Sequence, residues 1–197
     1  TLLFTQIHFY SHTCTFITHL HFYHTNTLLF TQIHFYSHRV EVKNSQDDYG
    51  QMPIHWAAGN GNLEICKYIH EKGDCLCIQV NDGTMPIHLA AMSGNLETFK
   101  LIYEEVEEKN PQDNSGWMPI HFAAHRGHLE ICKYIHEKGN SLSPRDNFGT
   151  TPLTWAAMIG HFAVCQFIFG VVGQTLNQAQ KAEVATLLKS NIDNIFR

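Results

Sequence analysis

From Asp47 onward the apolar positions form a narrow stripe and then a broad one, and the pair repeats. Ile54, Ala57 and Ala58 stand at i, i+3 and i+4, one face of a helix. Leu63, Ile65, Cys66, Tyr68 and Ile69 make a wider stripe, as expected for a second helix packed on both sides. Polar turn residues, Asp48-Tyr49-Gly50-Gln51, precede the first helix. Pro53 suits that helix's first turn, where a missing N–H costs nothing. Gly61 and Gly73 are placed to end the two helices in the left-handed conformation. One such unit cannot bury its own faces, so stability must come from stacking several.

The stretch Met52-Pro53-Ile54-His55-Trp56-Ala57-Ala58 returns, with changes only at its fifth residue, from Met85 and from Met118, and more loosely from Thr151, always 33 residues on. Gly50, Gly83, Gly116 and Gly149 precede the copies, and Gly61, Gly94, Gly127 and Gly160 follow them. Self-similarity at that period is a solenoid signature. The motif resembles the ankyrin repeat, with its Gly-x-Thr-Pro-Leu-His-x-Ala-Ala core, from roughly Asp47 to Gln178. The resemblance implies an all-α ankyrin solenoid of four helix-turn-helix units with short turn or hairpin tips: 47–79, 80–112, 113–145 and 146–178. Residues 179–197, with Val184, Leu187, Leu188, Ile192 and Ile195 at helical spacing, read as an amphipathic capping helix. The second unit has Val106 where its neighbours have Gly73 and Gly139, so its second helix is expected to run on through Glu104, Glu105, Glu107 and Glu108.

Residues 1–38 are a different kind of sequence. They hold no charged residue, and no Gly, Ala, Val, Pro or Met; Thr1–His12 is repeated letter for letter at 27–38. The residues whose codons begin with G are all missing, and the simplest account is a pyrimidine-rich simple repeat read as protein. This low-complexity segment is expected to have no stable fold and some tendency to aggregate. Residues 39–46 read as a linker. The seven N-terminal histidines suggest a His-rich metal-binding protein as one alternative reading, but a structural site needs fixed geometry and a second shell.

Charge and composition narrow the classes. Asp plus Glu outnumber Lys plus Arg by 18 to 13, so there is no basic field for nucleic acid. No apolar run is long enough for a membrane span. Cys66, Cys132 and Cys165 occupy one position in their units, a packing position that suits a reducing, cytoplasmic setting. The chain opens on Thr1, so it is expected to be a fragment or a processed product, and an ankyrin segment of a larger enzyme or channel is a second alternative.

No residue set calls for catalysis, a cofactor or a metal. His55, His88 and His121 lie one repeat apart, too far to share a Zn²⁺ at ligand distances near ~2 Å; in the family this His braces the neighbouring loop. His70-Glu71 and His136-Glu137 lack the second histidine of a zincin motif. Cys75 and Cys77 alone do not make a tetrahedral metal site. Trp56, Leu89, Phe122 and Trp155 share one position and read as core.

What remains is the surface that varies between units. The resemblance implies a non-catalytic scaffold that binds a protein partner through the concave face and turn tips. Carried onto this chain, the contact positions are Tyr49, Gln51 and Asn60; Asp82, Thr84, Met92 and Ser93; Ser115, Trp117, His125 and Arg126; Phe148, Thr150, Met158 and Ile159. Trp117, Phe148, Met158 and Ile159 are expected to be exposed anchors, since aromatics and Arg dominate contact surfaces; the alternative is that some pack under a neighbouring turn or the last helix. Trp117→Ala is therefore expected to weaken binding and spare the fold. Met52, Met85 and Met118 replace the family's capping Thr, so Met85→Thr is expected to stabilise by about 1 kcal/mol. A chain beginning at Val40 should keep the melting temperature of the full chain and be more soluble; a clear drop on that truncation would show the segment to be packed on the stack.

Overall fold

A computed structural model describes residues 46–73 and 75–195, with side chains through Ser190. The readings made for residues 1–38, and most of the linker, lie outside the described residues. Within them the chain forms helix pairs: α1 (Pro53–Gly59) and α2 (Leu63–Glu71), α3 (Pro86–Ser93) and α4 (Leu96–Glu105), α5 (Pro119–Arg126) and α6 (Leu129–Glu137), α7 (Pro152–Ile159) and α8 (Phe162–Val172). A longer helix, α9 (Gln178–Ile195), follows.

The helices stack in two layers. In one, α1 packs on α3, α3 on α5 and α5 on α7; in the other, α2 packs on α4, α4 on α6 and α6 on α8. Between the layers lie the periodic apolar residues. Ile54, Ile87, Ile120 and Leu153 are buried, as are the alanine pairs beside them. Cys66, Phe99, Cys132 and Cys165 fill one row of the second layer, and Ile69, Ile102, Ile135 and Ile168 another. Each unit touches only its neighbours, so the core is continuous along the stack and incomplete in any one unit. Helix α9 covers the outer side of α7, with Val184 buried and Leu187 and Leu188 partly so. It caps the first layer, the place where a fifth unit would otherwise sit.

Helix α4 departs from its expected end. It stops at Glu105, and Val106 is extended, at φ −78° and ψ 144°. Val106 is buried and thus belongs to the core, with Glu104, Glu105, Glu107 and Glu108 exposed around it. Where Gly73 and Gly139 adopt φ 82° and 81°, this unit turns by extending. Lys109 supplies the missing cap, its Nζ donating to the carbonyls of Tyr103 and Glu104.

The methionines at the helix starts also act differently from the expectation. None makes a side-chain cap bond. The donor such a cap would serve is already bonded, however: the N–H groups of His55, His88 and His121 donate to the carbonyls of Met52, Met85 and Met118 at 2.9, 3.0 and 2.9 Å. Met85 is only 5% exposed. Replacing a buried Met by Ala commonly costs about 2–5 kcal/mol, against about 1 for a new cap. The expected sign therefore reverses: Met85→Thr should destabilise by about 1 kcal/mol or more in urea titration, and a stabilised variant would show that capping outweighs packing here.

Candidate protein-binding face

The turn tips are built from Asp and Asn. Asp47 Oδ1 accepts from the N–H groups of Tyr49 and Gln51 at 2.9 and 2.8 Å. Asp113 does the same for Ser115 and Trp117, and Asp146 for Phe148 and Thr150. The second unit has Val80 at this position, and Asp82 takes over by accepting from Thr84 N–H at 2.8 Å. Each tip is tied to the next by an asparagine. Asn81 N–H donates to Tyr49 O at 3.2 Å and its side-chain amide to Asp48 O; Asn114 and Asn147 repeat both bonds one and two units on. Gly116 shows why the tip needs glycine: φ is 79°, and a Cβ there would lie 2.6 Å from Asn147 Oδ1.

Behind the tips runs a row of histidines. Met52 N–H donates to His55 Nδ1 at 3.0 Å, so the ring proton sits on Nε2, which donates to Ile78 O at 2.9 Å. His88 repeats this with Met85 N–H and Pro111 O. His121 keeps the Met118 bond, while its Nε2 turns toward Pro144 O without closing a bond of normal geometry. His55 and His88 therefore hold the loop leading into the next unit, as the family resemblance implied; His121 does not close that bond. A second histidine row was not anticipated. His128 Nε2 donates to Met92 O and His161 Nε2 to His125 O, both at 3.0 Å, tying each second helix's start to the preceding first helix's end. Gly94 makes room for it, since a Cβ would lie 2.4 Å from the His128 ring.

The candidate contact residues do not all reach solvent. Tyr49 is 74% exposed and Phe148 79%, and Met158 and Ile159 are also exposed. So are Asn60, Asp82, Ser115 and Arg126, whereas Gln51, Met92, Ser93, His125 and Thr150 are half-buried. Thr84 is only 7% exposed and so is no contact residue as it stands, its N–H turned to Asp82 Oδ1 and its carbonyl to Val80 N–H. Trp117 is half-buried rather than an exposed anchor. Its ring centroid lies 4.8 Å from Trp155, 5.0 Å from Phe122 and 5.5 Å from His125. Trp56, Leu89, Phe122 and Trp155, read as core, are likewise half-buried, one edge of the row in the stack and the other open.

The aromatic group is fixed from below. Buried Asp146 accepts tip N–H groups on Oδ1 and the Trp155 indole N–H on Oδ2 at 2.9 Å. His125 stands against both Trp117 and Trp155, and burial, then Arg126, lowers its pKa, keeping a neutral ring in the group. Arg126 itself reaches back to Met92 Sδ of the preceding unit. On the other layer, Lys138 and Tyr134 bond Glu104 at 2.6 Å each and hold its carboxyl below its ordinary range.

The described cysteines divide into two kinds. Cys66, Cys132 and Cys165 are free and buried, as their shared position implied, and burial pushes their thiols up to about 12, 12 and 11. Cys75 and Cys77 are exposed and joined by a disulfide, which the sequence reading did not anticipate. Among the described residues no group of His, Cys, Asp and Glu could hold a metal ion, and no helix is long and apolar enough to cross a membrane.

The family model for ankyrin repeats, in three copies, matches residues 19–113 and 87–180. These spans cover most of the chain, which belongs to the ankyrin-repeat family. Ankyrin repeats generally mediate protein–protein interaction and are typically non-catalytic. No curated protein matches the chain.

The bracing histidines make stability depend on pH. Burial is the largest influence on His55, His88 and His121, and it lowers the pKa of each below the usual 6.5. Protonation would also remove Nδ1 as an acceptor. The unfolded chain then binds more protons than the folded one below pH ~6.5, so this stability is complete above that pH and is lost as pH falls, by up to about 1.4 kcal/mol per unit and histidine. Urea midpoints should fall from pH 7.5 to 5.5, and less steeply in His88→Gln; a flat profile would contradict neutral, bracing rings.

Proposed function

We propose that the chain is a non-catalytic scaffold that binds a protein partner on the first-helix face and turn tips, centred on the third and fourth units. The observation that carries this reading is Phe148, almost fully exposed at a tip whose Asp146 also anchors the half-open Trp117–Trp155 group. An apolar side chain held out to solvent on a rigid tip contributes nothing to the stack. Met158 and Ile159 at the end of α7 add apolar area, and Arg126 adds a planar donor. Tyr49, Gln51, Asp82 and Ser115 extend the surface along the earlier tips. The three buried free thiols support a cytoplasmic setting.

The test is an affinity pull-down with the full chain, followed by binding measurements on variants. Phe148→Ser and Arg126→Ala should each weaken the recovered partner at least tenfold, about 1.4 kcal/mol, with unchanged melting temperature. Trp117→Ala should lower binding and also stability, by about 1–3 kcal/mol, because its ring packs between Phe122 and Trp155. Glu130→Ala, exposed on α6, should change neither. A partner that binds Phe148→Ser as tightly as the parent would overturn the assignment of this face.

A further inference from the structure

The loop between the first and second units carries Cys75-Leu76-Cys77. Leu76 is buried, while both cysteines on either side of it are exposed. The loop is held at one further point, where Ile78 O accepts from His55 Nε2. Cys77 N–H lies 3.2 Å from Cys75 Sγ. The chain supplies its own comparisons. Two units on, the equivalent residues are Ser141-Leu142-Ser143, with Leu142 buried and Ser143 N–H donating to Ser141 Oγ at 3.2 Å. One unit on, Asn110 N–H donates to Glu108 Oε1 at 3.1 Å. All three loops take the same local turn, with a side chain accepting from the N–H two residues later, and only one has sulfur to bridge.

The bridge is therefore not what shapes the loop. Buried Leu76 and the His55 brace set it, and they leave both sulfurs on the open side whether joined or apart. A bridge across one intervening residue also closes the shortest of loops, where the stabilisation expected from constraining the unfolded chain is smallest. Exposed disulfides are the ones that exchange most readily, since the attacking thiolate has access to sulfur.

We propose that Cys75 and Cys77 form a thiol–disulfide exchange site, a two-electron couple that equilibrates with low-molecular-weight thiols of the glutathione class while the stack stays folded. A thiolate R–S⁻ attacks one sulfur, the Cys75–Cys77 bond breaks, and the departing cysteine thiolate takes a proton from water. A second R–S⁻ attacks the R sulfur of the mixed disulfide, forming R–S–S–R and releasing the other cysteine thiolate, which is protonated in turn. Two R–SH are oxidised to one R–S–S–R, and the protein disulfide is reduced to two thiols. The described free cysteines take no part, being buried and held protonated by that burial.

The experiment equilibrates the full chain in glutathione buffers graded from reduced to oxidised, then quenches with an alkylating reagent. Trypsin cleavage at Lys72 and Lys100 releases a peptide whose only cysteines are Cys75 and Cys77, so mass spectrometry reads this pair alone. The peptide should pass from doubly alkylated to bridged along the series, with the steepness of a two-electron couple. The melting temperature should differ by less than about 2 °C between the ends, and a Cys75→Ser, Cys77→Ser variant, copying Ser141 and Ser143, should melt with the parent. A pair that stays bridged in fully reduced buffer, or stays open in fully oxidised buffer, overturns the proposal. So does accumulation of the glutathione mixed disulfide in place of the bridge, or a larger change in melting temperature, which would make the bridge structural.

Discussion

The structure depends on ties between neighbouring units. A helix pair of this size has two apolar faces and too few residues to cover both, so each unit is stable only against the next. Apolar packing supplies most of the stabilisation but is tolerant of sliding. The directional part comes from three rows of polar side chains: the asparagines at the tips, the first-helix histidines that hold the outgoing loop, and His128 and His161 at the second-helix starts. Each row bonds to a carbonyl of an adjacent segment, and so fixes register where packing alone would not. The histidine bonds are buried or partly buried, so losing one of those donors costs more than the bond is worth when formed.

Much of this was legible in the sequence, and the limits follow from what repetition encodes. The helices, their order and the bracing role of His55 and His88 could be read because identical residues recur where the environment is identical. The asparagine row recurs too, at Asn81, Asn114 and Asn147, and the fixed period was the signal that could have found it. The second histidine row was harder, since Asn62 and Asn95 hold the equivalent places in the earlier units and only the last two carry His.

The variable positions were read least well, for a physical reason. Thr84 and Trp117 share a position with Gln51 and Thr150, and were grouped with them as tip residues. Their burial depends on what packs around them, which the position within the repeat does not encode. Thr84 is buried, and Trp117 packs on Phe122 of its own unit and on Trp155 of the next. Val106 is a similar case: its poor fit to a left-handed turn was correctly read, but a helix can also end by extending, given a core to receive the valine and a lysine to cap the carbonyls. Pattern gives the fold; exposure at a non-repeating position requires the neighbour.

The fourth unit ties the packing of the stack to the face proposed for binding. Thr151 and Thr154 replace the Met–His pair, and α9, in place of another helix pair, covers α7. This unit uses Asp146 to join tip and helix, one oxygen taking the tip N–H groups and the other the Trp155 indole. Trp155 in turn positions Trp117 and His125 of the third unit. The open edge of the aromatic group is thus held by the same contacts that dock the fourth unit on the third. A partner that gripped this edge would bind only the docked state and stabilise it by mass action, and a change that loosened the docking would weaken binding without touching a contact residue. The proposed binding face and this interface between units would then be, in energetic terms, one element.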